Sequence, residues 1–262
     1  MTKQDNLPHP TPPAQQDDDV GQQETWPGFS SHSRLLVVAP HPDDESIGCG
    51  GLLALYGAQC DVLILTDGRR GKSKKHPNLS DEEVIALRKR EALSAMGIAG
   101  VREVFFLGIP DSQLLQNRKR AEQFDVSPYD FVFIPNDKEK HIDHLATNYI
   151  FRKMASKMKP KARLYGYEVW SPLKHVDTVL NISSVEEKKG EIIRCHASQM
   201  ENVDYLDAIK GLNHYRALMF QATSVEAFES IPRHWPEILA AYWKRLRLGF
   251  GLFRLKLRAK FF

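Results

Sequence analysis

Four short, almost continuous apolar runs recur along this chain, at Leu35–Ala39, Asp61–Thr66, Glu103–Leu107 and Asp130–Ile134. Runs of that kind are strands covered on both faces, the habit of a parallel sheet. Between them the apolar spacing shifts to a helical period. Glu45–Tyr56 reads as the first helix. Ser80-Asp81-Glu82-Glu83 opens a second with a capping-box pattern, and its apolar positions Val84, Leu87, Ala92, Ala95 and Met96 run to a stop at Gly97. Further helices are predicted at Gln113–Gln123, from the His141 loop to about Met158, from Ser184 to Cys195 or His196, and at Asp204–Ala217. Two more strands fall at Arg163–Glu168 and Val176–Asn181, and Asp67–Asn78 reads as a mobile surface loop. Strand–helix alternation predicts an α/β fold, a Rossmann-like three-layer domain with a mostly parallel sheet and helices on both faces.

Composition sets the limits of that domain. Residues 1–30 are rich in Pro, Gln and Asp with few aliphatics, and read as a disordered tail. The domain is expected over 31–234, followed by a basic amphipathic segment over 235–262. Residues 1–30 carry one Lys against five acidic groups, whereas 242–262 carry seven basic groups and no acidic one. With a net charge of +3 for the whole chain, the stretch between is neutral, so no nucleic-acid surface is expected. Three cysteines without a C-x-x-C spacing argue against a disulfide framework and for a reducing compartment. No secretory leader and no membrane-spanning run is read, which makes the expected location cytoplasmic.

The first strand ends in His41-Pro42-Asp43-Asp44-Glu45, which places ionisable groups at its carboxyl end, where open α/β sheets collect ligands. His41 and Asp44 have a spacing that suits one metal ion. A third ligand would come from the second His-rich loop, His141-Ile142-Asp143-His144, again directly after an apolar strand. Two His and one Asp with an open position is the pattern of catalytic zinc, because structural sites close all four positions. Asp43 would then be free to take a proton from water. His141, if cationic and held by Asp143, would serve an oxyanion or a leaving amine. The chemistry implied is metal-assisted hydrolysis of an amide or ester.

These motifs resemble the PIG-L/LmbE-type zinc deacetylases. The likeness rests on Val-Val-Ala-Pro-His-Pro-Asp-Asp-Glu with the following Gly-Cys-Gly-Gly, on Thr66-Asp67-Gly68, and on Arg88 to Glu91. Phe106 to Asp111, the His-x-Asp-His loop and His196 to Gln199 add to it. The resemblance implies zinc at His41, Asp44 and His144, Asp43 as general base, His141 with Asp143 at the oxyanion or leaving group, and Arg88 on the sugar side. It implies removal of an N-acetyl group from an N-acetylglucosamine-type sugar in a glycoconjugate or lipid-linked saccharide. Asn136–Lys140 is more charged than relatives would suggest.

The alternatives are another metal amidase or esterase, or a non-catalytic binding module. On a helical wheel, Tyr242, Trp243, Leu246, Phe250, Phe253, Leu257 and Phe261 share a face flanked by Arg247, Arg254 and Arg258. That pattern is the basis for expecting peripheral contact with the inner face of a membrane. The sequence leaves the oligomeric state open.

Overall fold

A computed structural model describes residues 29–75 and 77–233. The tail expected at 1–30, all but its last two residues, and the basic segment expected at 235–262 lie outside the described residues.

The core is one seven-stranded sheet in the order β3-β2-β1-β4-β5-β7-β6. Its strands are β1 (Leu35–Ala39), β2 (Cys60–Thr66), β3 (Glu103–Ile109), β4 (Phe131–Pro135), β5 (Arg163–Tyr167), β6 (Thr178–Asn181) and β7 (Val225–Ile231). The first five in sheet order are parallel. β7 runs antiparallel to both β5 and β6. The helices are α1 (Asp44–Tyr56), α2 (Asp81–Ala99), α3 (Arg118–Glu122), α4 (Ile142–Met154), α5 (Glu186–Arg194), α6 (Ala197–Met200) and α7 (Tyr205–Ala217).

The alternation within β1 builds the three layers. Leu35, Val37 and Ala39 pack with Leu52 and Leu53 of α1, Ala92 and Met96 of α2 and Ile192 of α5. Leu36 and Val38 point the other way, into Ala146, Ile150 and Phe151 of α4 and Ala121 of α3. All five β1 side chains are buried, and each large aliphatic among them contributes about 1.5–3 kcal/mol by leaving water.

Two glycines let α1 lie deep in this packing. A Cβ at Gly48 would fall 2.3 Å from Tyr167 Cδ2, and one at Gly51 would fall 2.4 Å from Ile182 Cγ2. The helix is interrupted at Cys49, whose φ of −132° is non-helical. Just beyond it, the amides of Gly51 and Leu52 donate to the Glu226 carboxylate at 2.6 and 2.9 Å. Lys189 Nζ neutralises that carboxylate at 2.8 Å and donates to Asn213 Oδ1 at 2.9 Å.

Three local expectations are corrected. α2 continues through Gly97 and ends at Gly100, whose left-handed φ of 73° supplies the helix stop. Gln113–Gln123 contains only the short α3, because the chain after β3 is occupied with turns around Asp111 and Ser112. The loop after β2 is tied down: Gln199 Nε2 donates to Gly71 O at 2.7 Å and Lys74 N to Asn202 Oδ1 at 3.0 Å.

Candidate metal and catalytic site

β1 lies between β2 and β4, so the connections leaving it reverse direction across the sheet at the β1–β4 boundary. Ligands of open α/β sheets bind outside the carboxyl ends of the strands at such a point. The loops after β1, β3 and β4 all reach it. The His41 loop is drawn tight because Asp44 Oδ2 accepts the His41 amide at 2.9 Å. Thr66 at the end of β2 anchors the same loop, its amide and hydroxyl both donating to Pro40 O.

His41, Asp44 and His144 come together. His41 Nδ1 and His144 Nε2 each lie 3.1 Å from Asp44 Oδ2. His144 is fully buried, yet neither ring nitrogen has a hydrogen bond, its approach to Asp44 being close but misaligned. A buried imidazole without a partner is costly unless something else takes its lone pair. Two His and one carboxylate are also the donor types that a zinc-like cation accepts. The residues therefore fit a divalent metal.

Among the described residues, the trios whose donor atoms all fall within 4.8 Å of one another are His41, His141 and His144, and His41, Asp111 and Asp143. The latter group surrounds the other ring nitrogen: His41 Nε2 is 3.3 Å from Asp143 Oδ2 and 3.6 Å from Asp111 Oδ1. Asp111 belongs to a stretch noted only as motif resemblance. Nothing in its own neighbourhood of sequence marks it as a donor, since the imidazole it faces, His41, follows β1. Burial pushes Asp111 up, but hydrogen bonds from His41 and Ser112 outweigh it and bring its pKa to about 2. Burial opposes charge on His144 as well, yet Asp44 prevails and raises it to about 9. The ring of carboxylates thus favours positive charge at the centre of the site.

Asp143 differs from expectation. Its carboxylate accepts the amides of Ser112 at 2.6 Å and Leu114 at 3.2 Å and faces His41, not the ring of His141. Ser112 holds a left-handed φ of 67° to make this contact, a conformation that costs a non-glycine residue about 1–3 kcal/mol. His141 instead caps α4, its Nδ1 accepting the Asp143 amide at 3.2 Å. With Nδ1 an acceptor, the ring proton sits on Nε2. Burial, followed by repulsion from His41 and His144, lowers the His141 pKa. The His141 ring therefore meets the Asp143 amide and not its carboxylate.

Asp43 sits beside this centre, lining a cleft of about 190 Å³ together with His41, Asp44, Asp111 and His141. Burial pushes its pKa up to about 6, against the opposing pull of Arg88. Arg88, expected on the sugar side, also lines the cleft, but its guanidinium is engaged. Nη2 is 2.9 Å from Asp43 Oδ2 and 3.0 Å from Pro42 O, and Nη1 is 3.0 Å from Gly68 O. Behind Asp43, Glu45 accepts the Asp43 amide at 3.1 Å and the Ser46 hydroxyl at 3.0 Å. Ser46 Oγ in turn lies 2.8 Å from His196 Nε2.

The carboxylate behind His144 comes from the charged stretch after β4. Glu139 Oε2 is 3.5 Å from His144 Nδ1, and Oε1 accepts the amides of Val169, Trp170 and Ser171 at 3.1–3.2 Å. The charge in Asn136–Lys140 that looked anomalous therefore includes a buried group tying a candidate ligand to the Trp170 wall of the cleft.

Residues 36–155 match the family described as GlcNAc-PI de-N-acetylase, PIG-L. That stretch carries a PIG-L family match, and the relatives the chain resembles include LmbE-like deacetylases. It is 28% identical over 187 residues to the probable N-acetyl-alpha-D-glucosaminyl L-malate deacetylase 2 of Bacillus subtilis, the match covering 64% of this chain and 84% of that one. It is also 28% identical over 195 residues to the 4-oxalmesaconate hydratase of Pseudomonas putida, covering 65% and 75%. Among solved structures, the N,N'-diacetylchitobiose deacetylase of Pyrococcus horikoshii superposes with a TM-score of 0.66 at 21% identity, over 77% of this chain and 84% of that one. This last likeness is one of fold. The PIG-L/LmbE-like match ends at residue 155, so β5, β7 and the Trp170 segment lie beyond it.

Proposed function

We propose that this chain is a zinc-dependent hydrolase that removes the N-acetyl group from an N-acetylglucosamine-type sugar in a glycoconjugate or lipid-linked saccharide. The observation that carries the reading is the approach of both His41 and His144 to within 3.1 Å of one Asp44 oxygen, with His144 buried and neither of its ring nitrogens in an aligned hydrogen bond. His41, Asp44 and His144 would hold the metal, with His41 Nε2 turned to Asp143, a carboxylate behind an imidazole ligand. When bound, a divalent cation supplies Lewis acidity, lowering the pKa of water and polarising a carbonyl.

Asp43 is the general base. It accepts a proton from the attacking water as the new C–O bond forms at the acetamide carbon. Arg88 holds the base by charge and fixes its orientation. His141, with its proton on Nε2, donates to the developing oxyanion. The C–N bond then breaks as the proton passes from Asp43 to the leaving nitrogen, giving acetate and a free amine. Trp170, half exposed on the cleft wall and crossing the Tyr205 ring at 72°, offers apolar surface to the sugar.

Acetate release from a panel of N-acetylglucosamine conjugates, with zinc supplied or chelated, tests this function. Asp43→Asn is expected to lower kcat by about 10²–10⁴-fold, the usual worth of a positioned acid or base. Turnover that survives complete metal removal contradicts the proposal.

Similarity to a hydratase favours a second reading, in which Asp43 activates water for addition and not for hydrolysis. Consumption of an unsaturated acid without acetate release from any sugar would select it.

The three cysteines are unpaired, in keeping with a cytoplasmic location, and among the described residues no helix is long and apolar enough to cross a membrane. Peripheral membrane contact through 242–262 is proposed from its sequence alone. Co-sedimentation with anionic liposomes should be lost in a chain ending at Trp235, and equal binding by the two chains rejects the contact.

A further inference from the structure

We infer that Arg70 forms an anion subsite at the mouth of the cleft, and that the preferred substrate carries a carboxylate or phosphate next to the acetylated sugar. The inference rests on the deacetylase reading for its sugar but on separate residues for its charge. The loop after β2 is dense in cations, and most of them are answered. Arg69 is bound by Asp67 at 2.6 and 2.9 Å, Lys72 lies 3.5 Å from Asp81, and Lys75 lies 3.3 Å from Glu201. Lys74 Nζ is 3.5 Å from Asn202 O. Arg70 is exposed, lines the cleft, and has no ion pair among the described residues.

Its position is held. The Arg70 amide donates to Asp111 Oδ2 at 3.4 Å, beside the candidate metal donors. On the next residue, Gly71 O accepts from Gln199 Nε2 at 2.7 Å, and Lys72 O accepts from Asn202 Nδ2 at 3.2 Å. Ser73 Oγ donates to Glu201. An arginine on a pinned loop loses less freedom on binding than one on a free loop, and its planar fork suits a carboxylate or phosphate bidentately.

Charge balance in the cleft points the same way. Its lining holds three carboxylates, Asp43, Asp44 and Asp111. Arg88 is paired with Asp43, and Asp44 and Asp111 face the rings of His41 and His144, which leaves Arg70 without a carboxylate partner of its own in the cleft. A neutral saccharide would leave that charge unused, whereas a sugar bearing one anionic group would complete it.

The test uses the full-length, zinc-loaded protein and ligands that bind without reacting because they lack an acetamide: glucose 1-phosphate, α-glucosyl malate and methyl α-glucoside. Titration calorimetry at low ionic strength should show one or both anionic ligands binding about tenfold or more tighter than the neutral one, the scale of a charge-assisted pair. The phosphate and malate arms tell which anion is preferred. Arg70→Gln should collapse the preference, Arg70→Glu should invert it, and Arg70→Lys should restore part of it. No preference in the native protein, a preference that survives Arg70→Gln, or no measurable binding of either anion overturns the subsite. Acetate release is scored separately. Equal kcat/KM on neutral and anionic N-acetylglucosamine conjugates rejects the subsite and leaves the deacetylase standing. Failure to release acetate from any of them, with Arg70-dependent anion binding intact, does the reverse.

Discussion

Arg88 Nη2 lies 2.9 Å from Asp43 Oδ2, and both side chains are buried. The pair fixes the proposed base in two senses. The guanidinium also spans Pro42 O and Gly68 O, so it braces the two loops between which Asp43 sits. Its charge opposes the burial that pushes Asp43 up to about 6.

Removing that charge should therefore raise the Asp43 pKa further. A base works in its deprotonated form, so the acid limb of the kcat/KM profile should move to higher pH in Arg88→Gln. Breaking a buried pair also costs about 3–5 kcal/mol of stability, which a denaturation midpoint would report. Arg88→Lys keeps the charge but loses the fork, and should restore the pH profile more fully than the stability. An unmoved acid limb in Arg88→Gln would show that Asp43 is not the group being titrated.

Metal affinity should depend on Glu139 as well as on the ligands. His144→Ala removes a ligand and should abolish stoichiometric zinc uptake by equilibrium dialysis. Glu139→Gln leaves the ligands in place but takes the carboxylate from behind His144, 3.5 Å from Nδ1. A loss of about 10–100-fold in affinity is expected, as for other carboxylates behind imidazole ligands. Zinc uptake indistinguishable from native in Glu139→Gln would confine Glu139 to anchoring the Val169–Ser171 amides.

Much of this site was legible because its residues follow apolar strands. β1, β2 and β4 announce themselves as unbroken apolar runs, and the acids and imidazoles after β1 and β4 are conspicuous for that reason. The Ser80 capping box was legible too, since Glu83 and Ser80 satisfy each other's amides within four residues. What stayed hidden depends on distant partners. Asp143 and His141 are neighbours in sequence, but the Asp143 carboxylate is taken by amides after β3. β7 was not anticipated, because its Glu226 and Glu229 break the apolar run by which the parallel strands were found. Gly97 and Gly100 are equally good stops on paper. Only the left-handed φ at Gly100 separates them.

Glu226 carries the last prediction, one of stability. It is buried beside α1, accepting the Gly51 and Leu52 amides, with Lys189 as its counter-ion at 2.8 Å. Glu226→Ala leaves two amides without an acceptor and a buried ammonium without its counter-ion, and should destabilise by about 3–5 kcal/mol. Lys189→Met leaves the carboxylate with its amides but without its charge partner, and should cost less, because those N–H groups still stabilise the anion. Residues in one network do not add, so Lys189→Met combined with Glu226→Ala should lose less than the two single changes together. Urea midpoints for the four proteins measure this coupling. Strict additivity would mean that Lys189 and Glu226 act independently, and that the interruption of α1 at Cys49 needs no charged support.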